Sequence, residues 1–168
     1  MFKVIHPSEK LGGKVGCPSS YFLFERPKHV IFLAGPCPRK DYEKDWRFEA
    51  EKYLQEAGFD GIVFNPTNPY FDTNDPLYLE KQTEWEQSAM FQADKVVFWI
   101  PRTKEDPAFT TNIELGAYLN KEKIHNILIG WPDYAEKNNY IEIRLKWLNK
   151  YHERDLKTLM YRVVEELR

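Results

Sequence analysis

Four short apolar runs punctuate a mostly polar chain: Val30-Ile31-Phe32-Leu33-Ala34, Gly61-Ile62-Val63-Phe64, Lys95 followed by Val96-Val97-Phe98-Trp99-Ile100, and Ile127-Leu128-Ile129-Gly130 after Asn126. Each is rich in β-branched and aromatic residues. Each is stopped by turn chemistry, at Gly35-Pro36, Asn65-Pro66, Pro101-Arg102 and Trp131-Pro132. Continuous runs of this length are the signature of strands buried on both faces. Between them the period becomes helical. Trp46, Ala50, Tyr53, Leu54 and Ala57 recur at helix spacing over about residues 41–57, closed by Gly58. Asp75 as N-cap and Pro76 at the first helical position open a second helix to about residue 92. On it Leu79, Met90 and Ala93 share a face with Glu86. A third helix runs from Thr111 to about residue 121, and Ile141, Leu145, Trp147 and Leu148 mark a fourth. Asp155 caps a terminal helix with the stripe Leu156, Leu159, Met160, Val163, Val164 and Leu167.

Strands alternating with helices imply parallel pairing through right-handed crossovers. The predicted fold class is α/β: a doubly wound, flavodoxin-like, mostly parallel sheet of four to five strands with helices on both faces. Residues 1–28 read as a short N-terminal β appendage, in which Phe2-Lys3-Val4-Ile5 and Tyr21-Phe22-Leu23-Phe24 would form a hairpin. Residues 29–168 read as the main domain.

Composition narrows the function. A chain of 168 residues with 42% hydrophobic and 30% charged positions is long enough for one core and is not disordered in character. A net charge of −2 gives no broad basis for binding nucleic acid or an anionic membrane, and no apolar run approaches a membrane span. The first residues do not have the pattern of a signal peptide. Cys17 and Cys37 have no paired spacing, so a reduced, cytoplasmic setting is expected. Five Trp and ten Tyr exceed the needs of such a core, which points to a pocket or a subunit interface.

In a doubly wound sheet, ligands bind beyond the carboxyl ends of the strands. That rule gathers residues 35–39, 65–75, 101–112 and 131–140 at one rim. Thr111-x-x-Glu114 opens the helix that leaves the third of these loops. The spacing is that of a capping box, in which both side chains satisfy backbone N–H groups. It also suits a catalytic carboxylate at the rim, and the two readings remain open. Glu86, interrupting an apolar stripe, is either a paired surface residue or a second site carboxylate. Other chemistries fit poorly. Gly12-Gly13-Lys14 lacks phosphate-loop spacing, and no Gly-x-Gly-x-x-Gly or Gly-x-Ser-x-Gly motif occurs. His6, His29, His125 and His152 are scattered, so no metal site is expected. Cys37 sits at a strand end, but the other rim loops hold no His to activate it.

Three motifs in order carry a resemblance: Phe32-Leu33-Ala34-Gly35-Pro36, then Glu86 with Ala93-Asp94-Lys95-Val96-Val97, then Thr111-Asn112-Ile113-Glu114-Leu115-Gly116-Ala117. Over roughly residues 29–140 the chain resembles the nucleoside 2-deoxyribosyltransferase family, including smaller relatives that hydrolyse nucleotide N-glycosidic bonds. The resemblance implies that Glu114 is the nucleophile at the sugar anomeric carbon and that Glu86 contacts the base. It implies a homo-oligomer in which Asn139 or Asn138 reaches a neighbour's site. Its ligands would be a nucleoside or nucleotide and a free base, with no cofactor. Two departures are visible: Ala108 stands where the family has an acid, with Asp106 the nearest substitute, and Glu86 replaces a shorter Asp.

On that reading Thr110, Thr111 and Asn112 orient the nucleophile or meet sugar hydroxyls. Gly35 and Pro36 hold the 5′ end, and Asn65 and Asp106 complete the substrate-binding set. Arg39 or Arg47 would favour a 5′-phosphate. Phe64, Tyr70, Trp99 or Trp131 would stack on the base. A position in the first helical turn would lower the Glu114 pKa and keep it ionised. The expected reaction is transfer of a deoxyribosyl group between bases. Hydrolysis of a nucleotide or of NAD, and plain nucleotide binding without catalysis, are the alternatives.

Overall fold

The computed structural model describes residues 1–7, 27–37, 45–68 and 76–168. Five strands form one all-parallel sheet: β1 (Phe2–Ile5), β2 (Val30–Ala34), β3 (Gly61–Phe64), β4 (Lys95–Trp99) and β5 (Ile127–Gly130), in the order β1-β3-β2-β4-β5. Every residue of β2 and β3 is buried, as uninterrupted apolar runs require when both faces are covered. The fold is therefore the doubly wound α/β arrangement that the sequence predicts. Phe2–Ile5 is the edge strand of this sheet, paired in parallel with β3 from Phe2 opposite Gly61 to Ile5 opposite Phe64. Tyr21-Phe22-Leu23-Phe24, the other strand expected near the N-terminus, lies outside the described residues.

Among the described residues five α-helices cover the sheet: α1 (Trp46–Glu56), α2 (Tyr78–Gln92), α3 (Phe109–Tyr118), α4 (Asn139–Trp147) and α5 (Leu156–Glu166). Helices α1 and α5 pack on one face through Ala50, Leu54, Leu159, Met160 and Val163 against Ile31, Leu33, Val63 and Val97. Helices α2, α3 and α4 cover the other, where Trp85, Ala89, Leu115 and Leu145 meet Phe32, Phe64, Val96 and Phe98. No helix among the described residues is long and apolar enough to cross a membrane.

Three helix details differ from the sequence expectation. The buried stripe of α2 is Tyr78, Trp85, Ala89 and Met90, and Leu79 is 72% exposed. Trp85 explains the rotation: the largest apolar ring takes the centre, edge-on to Phe64 at 5.8 Å, and turns Leu79 outward. Helix α2 also starts at Tyr78, after Leu77, which makes no side-chain cap bond, so Pro76 is not its first residue. Helix α3 begins at Phe109 rather than Thr111, and its N-cap is Ala108 in the left-handed region at φ 54°. By contrast, Asp155 caps α5 as expected, accepting from the Thr158 N–H at 2.7 Å.

Candidate active site

The chain runs from β2 to β3 on one side of β2, then crosses to β4 on the other. That reversal places a crevice between the carboxyl ends of β2 and β4. The β2 end turns at Gly35, whose φ is 151°. A Cβ there would lie 2.2 Å from the Trp99 carbonyl oxygen, so the close approach of this turn to β4 requires glycine.

Behind the turn sits a buried clamp. Arg47 is fully buried in α1. Its Nε donates to Leu33 O at 3.1 Å, and its guanidinium also reaches Pro36 O at 3.3 Å and Gly35 O at 2.7 Å. Asp45, the α1 N-cap, pairs with it at 3.1 Å and also receives the Thr67 hydroxyl. Trp46 Nε1 adds a bond to Pro36 O at 3.2 Å. A buried guanidinium with a carboxylate partner and three carbonyl acceptors is satisfied, and it fixes the loop from the inside. Arg47, one of the two arginines considered for a 5′-phosphate, thus has its guanidinium committed to these groups while still lining the cavity in front of the loop.

A cavity of about 360 Å³ opens in the crevice, a size suited to a small-molecule ligand. Gly35 and Pro36 line it from β2, Glu86 from α2, and Asp106, Thr110 and Glu114 from the β4–α3 loop and α3. Thr110 and Glu114, one helical turn apart, share the face of α3 that looks into it. Six of the residues singled out from sequence therefore meet in one place.

Arg47 and Cys37 line it too, and the remaining described candidates do not. Thr111 is buried beneath α3, so it neither caps the helix nor reaches a ligand there, and the capping-box reading falls with it. Asn112 accepts from Arg102 at 2.7 Å. Asn65 is fully buried; it donates to Glu51 at 2.6 Å and accepts from the Thr67 N–H at 2.9 Å. Its role is to shape the turn after β3. Asn139 is exposed at the start of α4, and Asn138 is buried with one bond to Ile100 O at 3.4 Å. Arg39 lies outside the described residues. Of the rings proposed to stack on a base, Phe64 is in the core, Trp131 stacks on His152 at 3.7 Å, and Tyr70 lies outside the described residues. Sequence reading missed Ala108 and Phe109 as cavity wall, because it began α3 two residues late.

The electrostatics overturn one expectation. Glu114 stands in the second turn of α3, beyond the reach of the helix N-terminus. Its pKa is raised, to about 7, first by burial and then by the negative charge of Glu86, with Arg47 opposing both. Glu86 is raised as well, chiefly by burial, against a 2.7 Å bond from Gln82 and the charge of Arg47. Gln82 is itself anchored, donating to Pro66 O at 3.0 Å. Two half-buried carboxyl groups of raised pKa share one cavity, so they titrate as a pair and hold a proton near neutrality. One can act as nucleophile while the other carries the proton. Cys37 also lines the cavity. The residue is exposed, but its thiol is held above its ordinary value by desolvation, and Glu86 and Glu114 push the same way, so it is a weak nucleophile there. Among the described residues no group of three His, Cys, Asp or Glu is placed to hold a metal.

Residues 28–131, more than half of the chain, match the family model described as nucleoside 2-deoxyribosyltransferase like. No curated protein matches the chain.

Proposed function

The chain belongs to the nucleoside 2-deoxyribosyltransferase-like family, and from that premise we propose that it cleaves the N-glycosidic bond of a deoxynucleoside or nucleotide and transfers the sugar to another base. The observation that supports this most directly is the pairing of Glu114 and Glu86 in one cavity at the switch point, with both pKa values raised.

Breaking the bond builds positive charge at the anomeric carbon and negative charge on the departing base. A Glu114 carboxylate oxygen bonds to that carbon as the carbon–nitrogen bond breaks, and the bonding pair leaves with the base. The proton that the pair shares, carried by Glu86 once Glu114 is ionised, goes to the departing nitrogen. An acceptor base then reverses the sequence: its nitrogen displaces the ester, and its proton returns to Glu86. Water in place of the base gives hydrolysis, by the same two-carboxylate logic as retaining glycosidases. On this reading Thr110 meets a sugar hydroxyl, and Gly35 and Pro36 bound the 5′ end; all three line the cavity.

A second copy of the chain completes the proposal. On the α2–α4 layer Leu79, Phe91, Phe109, Ile113, Tyr140 and Trp147 are all at least 68% exposed, and Phe109 is also cavity wall. A homo-oligomer would cover such a surface and bring Asn139 near a neighbour's cavity.

The test is product analysis. Incubation with a deoxynucleoside and a different free base gives a new nucleoside if sugar is transferred. Incubation with a deoxynucleotide alone gives free base and sugar phosphate if water is the acceptor. Neither product across purine and pyrimidine substrates would overturn the catalytic reading and leave nucleotide binding.

A further inference from the structure

A second cavity, of about 420 Å³, lies over the ends of β4 and β5 on the α1–α5 side of the sheet. It shares two walls, Pro36 and Asp106, with the carboxylate cavity. The two are therefore neighbouring compartments of one crevice, separated by that partition and facing opposite helical layers.

Their linings differ in kind. Trp46 and Trp99, both nearly buried, line the second cavity together with the more exposed Tyr53 and Tyr134. Four aromatic side chains around one cavity suit a flat ring better than a sugar or a chain. The charges on its wall are Glu49, Asp106, Asp155 and Arg154. Arg154 is paired with Asp133, and Lys157, which approaches the Tyr53 ring at 5.5 Å, is paired with Glu56 at 3.4 Å. The carboxylates thus outweigh the cations among the described residues, and the Asp106 carboxylate stands on the partition itself. A diphosphate crossing that partition would meet like charge. An uncharged or cationic group would not, and a cation would gain from the ring faces.

We propose that this cavity is a second subsite, which binds a flat, non-anionic group carried on the 5′ side of the nucleoside held in the carboxylate cavity. The proposal rests on the reading of Glu114 and Glu86 as the sugar and base end of the site. On the same reading Gly35 and Pro36 bound the 5′ end, and Pro36 lines both cavities, so a 5′ substituent leads over it into the aromatic cavity. The inference selects against a 5′–5′ dinucleotide, whose linker is doubly anionic, as the preferred ligand.

The experiment uses the full chain with Glu114→Gln, which holds ligand without turnover. Affinities for 2′-deoxyadenosine and thymidine are measured against their 5′-O-benzyl ethers and their 5′-phenylphosphate esters. Binding is followed by tryptophan fluorescence and by the indole N–H signals of Trp46 and Trp99. The expected result is a gain of about tenfold for the benzyl ether over its parent, the worth of one buried ring contact, with both indole signals shifted. The phenylphosphate should bind more weakly than the ether. Tyr53→Ala with Tyr134→Ala should bring the ratio of ether to parent affinity close to one. Equal affinities for ether and parent, a ratio that survives the double substitution, or tighter binding of the phenylphosphate overturns the subsite. The two readings fail separately. Cleavage of nucleosides with no benzyl gain leaves the reaction standing without the subsite. A benzyl gain with no cleavage by the unsubstituted protein leaves the subsite standing without the reaction.

Discussion

At the scale of single residues, Glu114 carries a conflict between stability and chemistry. A carboxyl whose pKa rises on folding binds more protons in the folded state between its ordinary value and the raised one. For Glu114 that window runs from 4.5 to about 7. Stability therefore falls as pH rises through it and is flat above. Glu114→Gln removes the ionised form, so its thermal midpoint should exceed the wild-type value at pH 8 and approach it at pH 5, as followed by circular dichroism. The same variant should lose activity by about 10³-fold or more, as removal of a covalent nucleophile does; retention of full activity would sink the assignment. Glu86 raises Glu114 by like charge, so Glu86→Gln should shift the acid limb of kcat/KM to lower pH. It should also reduce the rate by about 10² to 10⁴-fold, the usual loss when a general acid is removed.

At the scale of elements, the loop after β2 is held by what lies beneath it. Arg47→Met leaves Asp45 buried without its ion pair and frees the carbonyls of Leu33, Gly35 and Pro36. A cost of about 3–5 kcal/mol is expected from urea unfolding. Arg47→Lys should recover part of this, because an ammonium keeps the charge but cannot span the same carbonyls. The start of α3 gives a second test. Ala108 is buried and left-handed, a conformation that disfavours any Cβ and disfavours branching at Cβ more. Ala108→Gly should be neutral or stabilising by up to about 1 kcal/mol, whereas Ala108→Val should be destabilising; the reverse order would mean that the helix start is not held as described. Local pattern suggested Thr111 as the cap because Thr-x-x-Glu satisfies a capping rule. It gave no hint that residues 109 and 110 would already be helical, since that depends on the path of the 101–108 loop across the sheet end.

At the scale of the whole molecule, the two helical layers have different outer surfaces. The α1–α5 layer leaves only Phe48 and Tyr161 as exposed large apolar residues of its helices, whereas the α2–α4 layer leaves Phe91, Phe109, Ile113, Tyr140 and Trp147 among others. If a second copy covers the latter, Ile113→Glu with Trp147→Glu should move the protein to a smaller species by light scattering and lower its activity at fixed chain concentration. An unchanged mass would place the oligomer contact elsewhere.

What the sequence determined by itself is the alternation of buried runs and helical periods. From these follow the parallel sheet, its carboxyl-end rim, and the presence of Glu114 at that rim, whereas the pattern left Glu86 open between surface and site. These are local properties: a run buried on both faces is apolar throughout, and Gly-Pro or Asn-Pro ends it wherever it lies. Tertiary structure decided which rim residues face a common space. Asn65 and Thr111 look like site residues in the chain, but Asn65 is bonded to Glu51 and Thr67 and Thr111 is buried, while Arg47, considered with Arg39 for a phosphate, is bonded to carbonyls brought together from β2 and the loop after it. Tertiary structure also reversed the charge expectation for Glu114. Burial and a second carboxylate, supplied from α2 across the crevice, outweigh a helix end that lies more than a turn away.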